Sequence, residues 1–138
     1  MPILTEQQLT AITEQFELGC CCYWHKITGE LLFLPDLNNA LLEPDLFKEE
    51  LDKLKKNKRH FIEIERPTSH DRFKLMLRFT EQLSDTNQLK DKLINALNEK
   101  KPFSKFKAVI DHSGTYRQEW FDYKNAQLKL WVIYRFKV

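Results

Sequence analysis

The hydrophobic pattern of this 138-residue chain changes in character near residue 67, and that change constrains the fold more than any other feature. Up to residue 67, short apolar runs that favour β-strands alternate with helical segments, which are expected at Thr5–Leu18 and Asp45–Asn57. From residue 68 onward apolar residues recur every three to four residues, which is typical of amphipathic helices. The pattern therefore predicts an α+β fold, in a single domain spanning residues 1–138.

The first half predicts a helix, a hairpin and a third strand. The helix is expected to end at Gly19, which can adopt the positive φ of a helix C-terminus. Cys20–Lys26 and Glu30–Pro35 predict a β-hairpin with Gly29 in its loop. His60–Glu65 predicts a third strand, and together these segments make a small three-stranded antiparallel sheet. Between hairpin and second helix, Asn38–Glu43 is expected to be loop and Pro44 to start the helix.

The second half predicts helices throughout. Their expected starts are Thr68 as an N-cap, Asp85 or Thr86, Lys101-Pro102, and Thr115 or Tyr116. The side chains expected to face the core are Phe73, Met76, Leu77, Thr80 and Leu83, then Leu89, Leu93, Ala96 and Leu97, then Phe103, Phe106, Val109 and Ile110, and finally Tyr116, Trp120, Tyr123 and Leu128. Residues 128–138 alternate apolar and polar side chains, so periodicity alone leaves that tail open between helix and strand.

Charge and hydropathy exclude several classes of protein. Residues 1–45 hold seven acidic residues and one basic residue, whereas residues 46–138 hold 21 basic and 13 acidic residues. This asymmetry permits an anionic partner for the C-terminal part, and it equally permits attraction between the two parts. No apolar run approaches the roughly 18 residues of a membrane span, and the N-terminus lacks the early positive charge of a secretory signal. We therefore expect a cytoplasmic protein without a membrane partner.

A metal site is the first chemical possibility to weigh. Cys22 and His25 have C-x-x-H spacing, and His60, His70 and His112 supply further potential ligands. Residues 22 and 25 of one strand point to opposite faces, however, which opposes joint ligation. The consecutive cysteines, residues 20–22, are not a disulfide framework and are better explained as small buried hydrophobes. We predict no metal and no cofactor.

Catalytic patterns are weak. Ser69, His70 and Asp71 have the residue types of a triad, but consecutive side chains on a helix diverge and cannot relay a proton. Glu63 and Glu65 share one face of the third strand, where a solvent-exposed edge alternating with isoleucines is the simpler interpretation. No catalytic residue is assigned, and the sequence favours a protein that is not an enzyme.

Two lysine-rich segments are the strongest remaining signal, one at Lys53–Arg59 and one at Lys100–Lys107. Lysines at the end of the second helix suit its dipole, whereas those before and within the first turn of a later helix do not. The predicted anion-binding or nucleic-acid-binding residues are Lys100, Lys101, Lys105, Lys107, Arg117 and Lys124. Neutralisation by acidic groups of the same chain is the alternative. Of the nearby aromatic residues, Phe121 and Trp131 lie off the face that Trp120 and Tyr123 share.

The C-terminal half also carries a family resemblance. Its motifs are Ala96-Leu97, Lys101-Pro102-Phe103-Ser104-Lys105-Phe106-Lys107, Tyr116-Arg117 and Trp120-Phe121-Asp122-Tyr123-Lys124. Together with Lys26–Glu30 and Phe61–Pro67 they resemble uncharacterised protein family 0158, a set of small bacterial proteins. The resemblance spans roughly residues 20–130 and implies no catalytic residues, since the family has no established activity. It implies one continuous helix over Gln118–Lys129, which favours helix for the tail. The cysteine run and the aromatic residues after position 131 depart from the family pattern.

These observations give three functional hypotheses. The first is a non-catalytic binding or regulatory module that acts through a macromolecular partner, either protein or nucleic acid. The second is binding of nucleic acid or a phosphate ligand by the basic C-terminal helices. The third is an enzyme with an unfamiliar site, which requires a concave pocket with convergent titratable groups. The sequence indicates no oligomeric state.

Overall fold

The structure is a computed structural model that describes residues 3–36 and 44–136. Within these residues it has six α-helices and a three-stranded antiparallel sheet, which confirms the α+β class. The elements are α1 (Glu6–Glu17), β1 (Cys20–His25), β2 (Leu31–Pro35), a 3-10 helix (Pro44–Phe47), α2 (Lys48–Lys56), β3 (Phe61–Ile64), α3 (Ser69–Glu81), α4 (Gln88–Leu97), α5 (Pro102–Asp111) and α6 (Tyr116–Arg135). The chain divides into two compact units, residues 1–66 with 131–138 and residues 67–130.

The first unit is built on the sheet, whose strand order is β2-β1-β3. The central strand β1 pairs antiparallel with both neighbours, so that Cys22 lies opposite Phe33 on one side and Ile64 on the other. Side chains alternate across a strand, so Cys22 and Trp24 share one face. That face packs against α1 and the last turns of α6. The core there consists of Leu9, Ile12, Phe16, Cys22, Trp24, Ile64 and Val132.

Local signals around α1 explain where the first elements begin and end. Thr5 and Gln8 form a capping box, in which the Thr5 hydroxyl accepts from the Gln8 N–H and the Gln8 side chain accepts from the Thr5 N–H. Gly19 follows the helix with φ of 77°, and Gly29 closes the hairpin with φ of 75°. Both values lie in the left-handed region that glycine occupies without steric cost. The predicted helix and hairpin are therefore confirmed at nearly their expected boundaries.

The second unit consists of α3, α4, α5 and most of α6. Thr68 caps α3 as expected, and Asp71 completes a capping box with it. Phe79 and Phe106 pack edge-on against Trp120, with ring centroids 5.3 and 5.0 Å away. The buried residues of this unit's core are Met76, Phe79, Leu93, Leu97, Phe106, Ile110 and Trp120.

Several sequence predictions need correction. Helix α4 begins at Gln88 rather than at Asp85 or Thr86, because the Asn87 side chain accepts from the Leu89 N–H and caps the helix there. The second predicted helix is two elements, a 3-10 helix followed by α2. The predicted loop over residues 38–43 lies outside the described residues.

Two apolar side chains are more exposed than expected. Phe103 was predicted to face the core but is 42% exposed, because Phe106 and Ile110 occupy the inward face of α5. Ile62 is also 42% exposed, since it lies on the edge strand β3, whereas Ile64 is buried. Phe79, which lay outside the predicted apolar face of α3, is buried.

The tail is helical, as the resemblance implied: α6 continues to Arg135. Val132 is fully buried, while its neighbours Trp131 and Ile133 are partly buried against the same core. Leu128 and Val132 are both buried and lie four residues apart, which is the spacing of one face of a helix. Among the described helices, none combines the length and the apolar character needed to span a bilayer.

Candidate functional site

The six basic residues predicted to bind anions all lie in the second unit, before or on α5 and α6. Lys107 and Arg117 meet at a shared carboxylate. The Lys107 Nζ donates to Asp111 at 2.6 Å, and the Arg117 Nε donates to the other oxygen of Asp111 at 3.2 Å. The hydrogen bond from Lys107, reinforced by that from Arg117, lowers the pKa of Asp111 below its ordinary value. Asp111 therefore ties the end of α5 to the start of α6.

Arg117 also lies close to Lys124, because both side chains are placed over the same aromatic ring. The guanidinium carbon of Arg117 lies 4.6 Å from the ring centroid of Phe121, and the Lys124 Nζ lies 4.9 Å from it. The three residues have i, i+4, i+7 spacing on α6, so they share one face of the helix. Phe121 is only partly buried, whereas Trp120 is 8% exposed, as expected from their different helix faces. Each cation over an aromatic face is attracted to the ring by about 0.5–1 kcal/mol at exposed sites.

The other three lysines lie at the opposite end of α5. Lys100, Lys101 and Lys105 are exposed, and Lys101 and Lys105 are four residues apart on one side of the helix. Lys101 is the N-cap residue but contributes no side-chain cap, and its φ of 55° is in the left-handed region. For a residue with a side chain this backbone conformation costs on the order of 1–2 kcal/mol. Lys107 points about 200° around the helix from Lys105. The structure thus places the six residues in two groups, one at each end of α5.

The earlier lysine-rich segment forms a separate basic turn in the first unit. A depression of about 380 Å³ is lined by Lys55, Lys56, Asn57, Lys58, Arg59 and His60. Lys53 faces elsewhere and forms an ion pair with Glu30. Three lysines of the last turn of α2 suit its C-terminal dipole, which accounts for part of this charge without a ligand.

Two of the residues weighed as metal ligands, Cys22 and His25, have structural roles. Cys22 is fully buried, and burial raises the pKa of its thiol to about 12, which keeps the thiol protonated at neutral pH. The His25 Nδ1 accepts the backbone N–H groups of Ile27 and Thr28 at 3.2 and 3.0 Å, so this ring caps the hairpin turn. Within residues 3–36 and 44–136, no group of three or more His, Cys, Asp or Glu side chains is arranged to hold a metal ion.

The candidate catalytic groups either hydrogen-bond to nearby residues or lie away from each other. The Asp71 carboxylate accepts from the backbone N–H and hydroxyl of Thr68, and these hydrogen bonds lower its pKa. Glu63 lies in β3 opposite Tyr23, whereas Glu65 follows the strand and pairs with Arg135 at 3.3 Å. Neither pattern assembles a nucleophile with a base.

Sequence reasoning missed two features of the second unit. One is the position of Phe121 between two cations, which its spacing from Arg117 and Lys124 signals once α6 is accepted as a helix. The other is a cleft that contains His112 and Tyr116. No short motif signals the cleft, because three separate helices contribute to its lining.

The comparisons with known proteins bear on the family alone. Neither curated proteins nor solved structures give a match to the chain. The model of Uncharacterised protein family (UPF0158) matches residues 5–137, nearly the whole sequence, in agreement with the motifs shared by α5 and α6. The chain therefore belongs to Uncharacterised protein family (UPF0158).

Proposed function

We propose that the chain is a non-catalytic binding module whose macromolecular partner is single-stranded nucleic acid, bound by the basic residues of α5 and α6. The observation that carries the proposal is the pair of cations, Arg117 and Lys124, over the ring of Phe121. We call these three residues the cation–aromatic face.

The cation–aromatic face combines the two groups that single-stranded nucleic acid requires. An unstacked base can stack on an aromatic ring or on a guanidinium plane, and base–aromatic stacking is worth about 1–3 kcal/mol per base. The charges of Arg117 and Lys124 attract the adjacent phosphates. Because Asp111 and Phe121 both hold Arg117, its position is partly fixed before binding, which reduces the entropy lost on association.

The exposed lysines at the start of α5 form a second basic group in the same unit. Lys101 and Lys105 are on one side of α5, and Lys100 precedes them in the chain. The positive end of the α5 dipole adds to the attraction for phosphate there. The ten residues of α5 span about 15 Å, so these lysines and Arg117 suit an extended strand with several phosphates better than a single anion.

The free thiols of residues 20–22 are consistent with a reducing compartment, which supports a cytoplasmic location for this binding.

Binding of a fluorescent single-stranded oligonucleotide of roughly 12 nucleotides, followed by anisotropy, tests the proposal. The Lys101→Glu/Lys105→Glu variant is expected to bind at least about tenfold more weakly than the unmodified chain. Its matched control is Lys55→Glu/Lys56→Glu, which makes the same charge change on exposed lysines of the first unit and is expected to keep most of the affinity.

Three outcomes would contradict the proposal. They are the absence of saturable binding by the unmodified chain, equal loss of affinity in both double variants, and retention of full affinity by Lys101→Glu/Lys105→Glu. Unfolding curves of both variants establish that each still folds. Stoichiometric capture of a protein by the same surface, without oligonucleotide binding, would replace the nucleic-acid partner with a protein partner.

A further inference from the structure

The second unit contains a cleft whose lining differs in character from the basic residues of α5. Its volume is about 460 Å³, within the usual range of roughly 300–1,000 Å³ for small-molecule sites. The start of α4, the end of α5 and the start of α6 meet there. The lining includes Gln88, Leu89, Lys92, Val109, His112 and Tyr116.

The hydrogen bonds already present determine which polar atoms are left for a ligand. The Tyr116 hydroxyl oxygen accepts from the Asn87 amide at 2.9 Å, so its own proton is available to donate. The His112 Nδ1 lies 2.9 Å from the Ala108 carbonyl oxygen, which is an acceptor only. The Nδ1 therefore carries a proton, and the Nε2 is the nitrogen available to a ligand. Gln88 adds an amide that can both donate and accept.

One wall of the cleft is apolar and one of its residues carries a fixed positive charge. Leu89 and Val109 are partly buried and present aliphatic surface, next to the ring of Tyr116. Lys92 is exposed, and it forms no ion pair with any residue in the described part of the chain. The apolar wall and the nearby hydrogen-bonding groups suit a flat heterocycle, and the single lysine suits an anionic group. We therefore expect a ligand with one flat ring system and one anionic group.

We propose that this cleft binds a mononucleotide-like ligand, with its heterocycle against Leu89 and Val109 and its phosphate at Lys92, while the His112 Nε2 accepts a hydrogen bond from the heterocycle. The Tyr116 hydroxyl donates to the ligand. This site does not depend on the binding of nucleic acid by the cation–aromatic face, because it shares none of the residues assigned to that function.

Titration of the full-length, isotope-labelled chain with adenosine 5′-monophosphate tests the proposal by NMR. Saturable shifts are expected at the amides of Gln88, Lys92, His112 and Tyr116. Adenosine and inorganic phosphate, which each lack one half of the probe, are expected to bind at least about tenfold more weakly. Lys92→Glu is expected to weaken binding of the nucleotide by at least about tenfold, because it replaces the attraction for phosphate with repulsion. Lys74→Glu, the same charge change on an exposed lysine of α3, is expected to leave binding unchanged.

Tyr116→Phe provides a second test that adds no charge, and it is expected to weaken nucleotide binding several-fold. The proposal is overturned by the absence of saturable shifts, or by shifts centred on Lys100–Lys107 that Lys101→Glu/Lys105→Glu abolishes. Equal loss of binding in Lys92→Glu and Lys74→Glu also overturns it, since that result indicates a response to overall charge alone. Failure of oligonucleotide binding leaves these expectations intact, so the two proposals are tested separately.

Discussion

Trp131 donates its indole Nε1–H to the backbone carbonyl oxygen of Glu65 at 2.8 Å, although 66 residues separate them in the chain. Arg135 lies over the Trp131 ring, with its guanidinium carbon 3.1 Å from the ring centroid, and its Nε pairs with the Glu65 carboxylate. The last turns of α6 are thereby fixed to the end of β3. This long-range contact gives a tail of ambiguous periodicity a defined place in the first unit.

Loss of this contact is expected to lower the stability of the chain. Trp131→Phe keeps an aromatic ring but removes the donor to Glu65, so we expect the free energy of unfolding to fall by about 1 kcal/mol. Urea unfolding at equilibrium measures the change. Leu130→Ala is the neighbouring control: Leu130 is 43% exposed, and its truncation is expected to change stability by less than about 0.5 kcal/mol. An equal loss in both variants would mean that the indole hydrogen bond contributes nothing specific.

The capping box of α3 gives a pH-dependent prediction. Thr68→Ala removes the hydroxyl that accepts from Asp71 and is expected to cost about 1 kcal/mol near neutral pH. The pKa of Asp71 is lowered in the folded chain, so its ionised form stabilises the fold above the ordinary carboxyl pKa, and this contribution is lost as pH falls through the folded value. Asp71→Asn should therefore destabilise the chain at about pH 7 and much less below about pH 3. A difference that is constant over this range would contradict the role of the carboxylate.

The buried thiol of Cys22 gives a prediction for stability at alkaline pH. Burial raises the pKa of its thiol from 9.0 to about 12, so the folded state keeps a proton that the unfolded state loses above about pH 9. Stability present below pH 9 is then lost as pH rises toward 12, at no more than about 1.4 kcal/mol per pH unit from this group. Chemical unfolding of the unmodified chain and of Cys22→Ala between these pH values isolates the effect. Parallel pH profiles for the two chains would show that Cys22 does not contribute.

The fold was more predictable than the site, because the signals that begin and end helices act over a few neighbouring residues. Thr68, Asp71 and Gly19 act within one turn of their own helix, so spacing alone predicted them. Residues 128–136 were ambiguous because both alternate and consecutive apolar residues occur there, and only the packing of Val132 with Cys22 and Trp24 resolves the choice. The lysines of Lys100–Lys107 were visible in the sequence as a charge run, but the separation of Lys105 from Lys107 around α5 was not.

The role of Phe121 in oligonucleotide binding can be separated from that of the charges. Phe121→Ala removes the ring but leaves both cations, so we expect the affinity for a single-stranded oligonucleotide to fall by about 1–3 kcal/mol while its salt dependence is retained. Phe121→Tyr keeps a stacking surface and is expected to keep most of the affinity. Anisotropy titrations of the two variants and of the unmodified chain, each at several salt concentrations, make the comparison. Equal affinity of Phe121→Ala and the unmodified chain would remove stacking from the account.

The most direct test of nucleic-acid binding is the salt dependence of the oligonucleotide dissociation constant. If about four phosphates are engaged, the affinity of the unmodified chain should fall about 50-fold between roughly 50 and 200 mM monovalent salt. Lys101→Glu/Lys105→Glu should show a markedly shallower dependence, because it has fewer phosphate contacts. A dissociation constant that does not change with salt, or the same slope in both chains, would contradict the account.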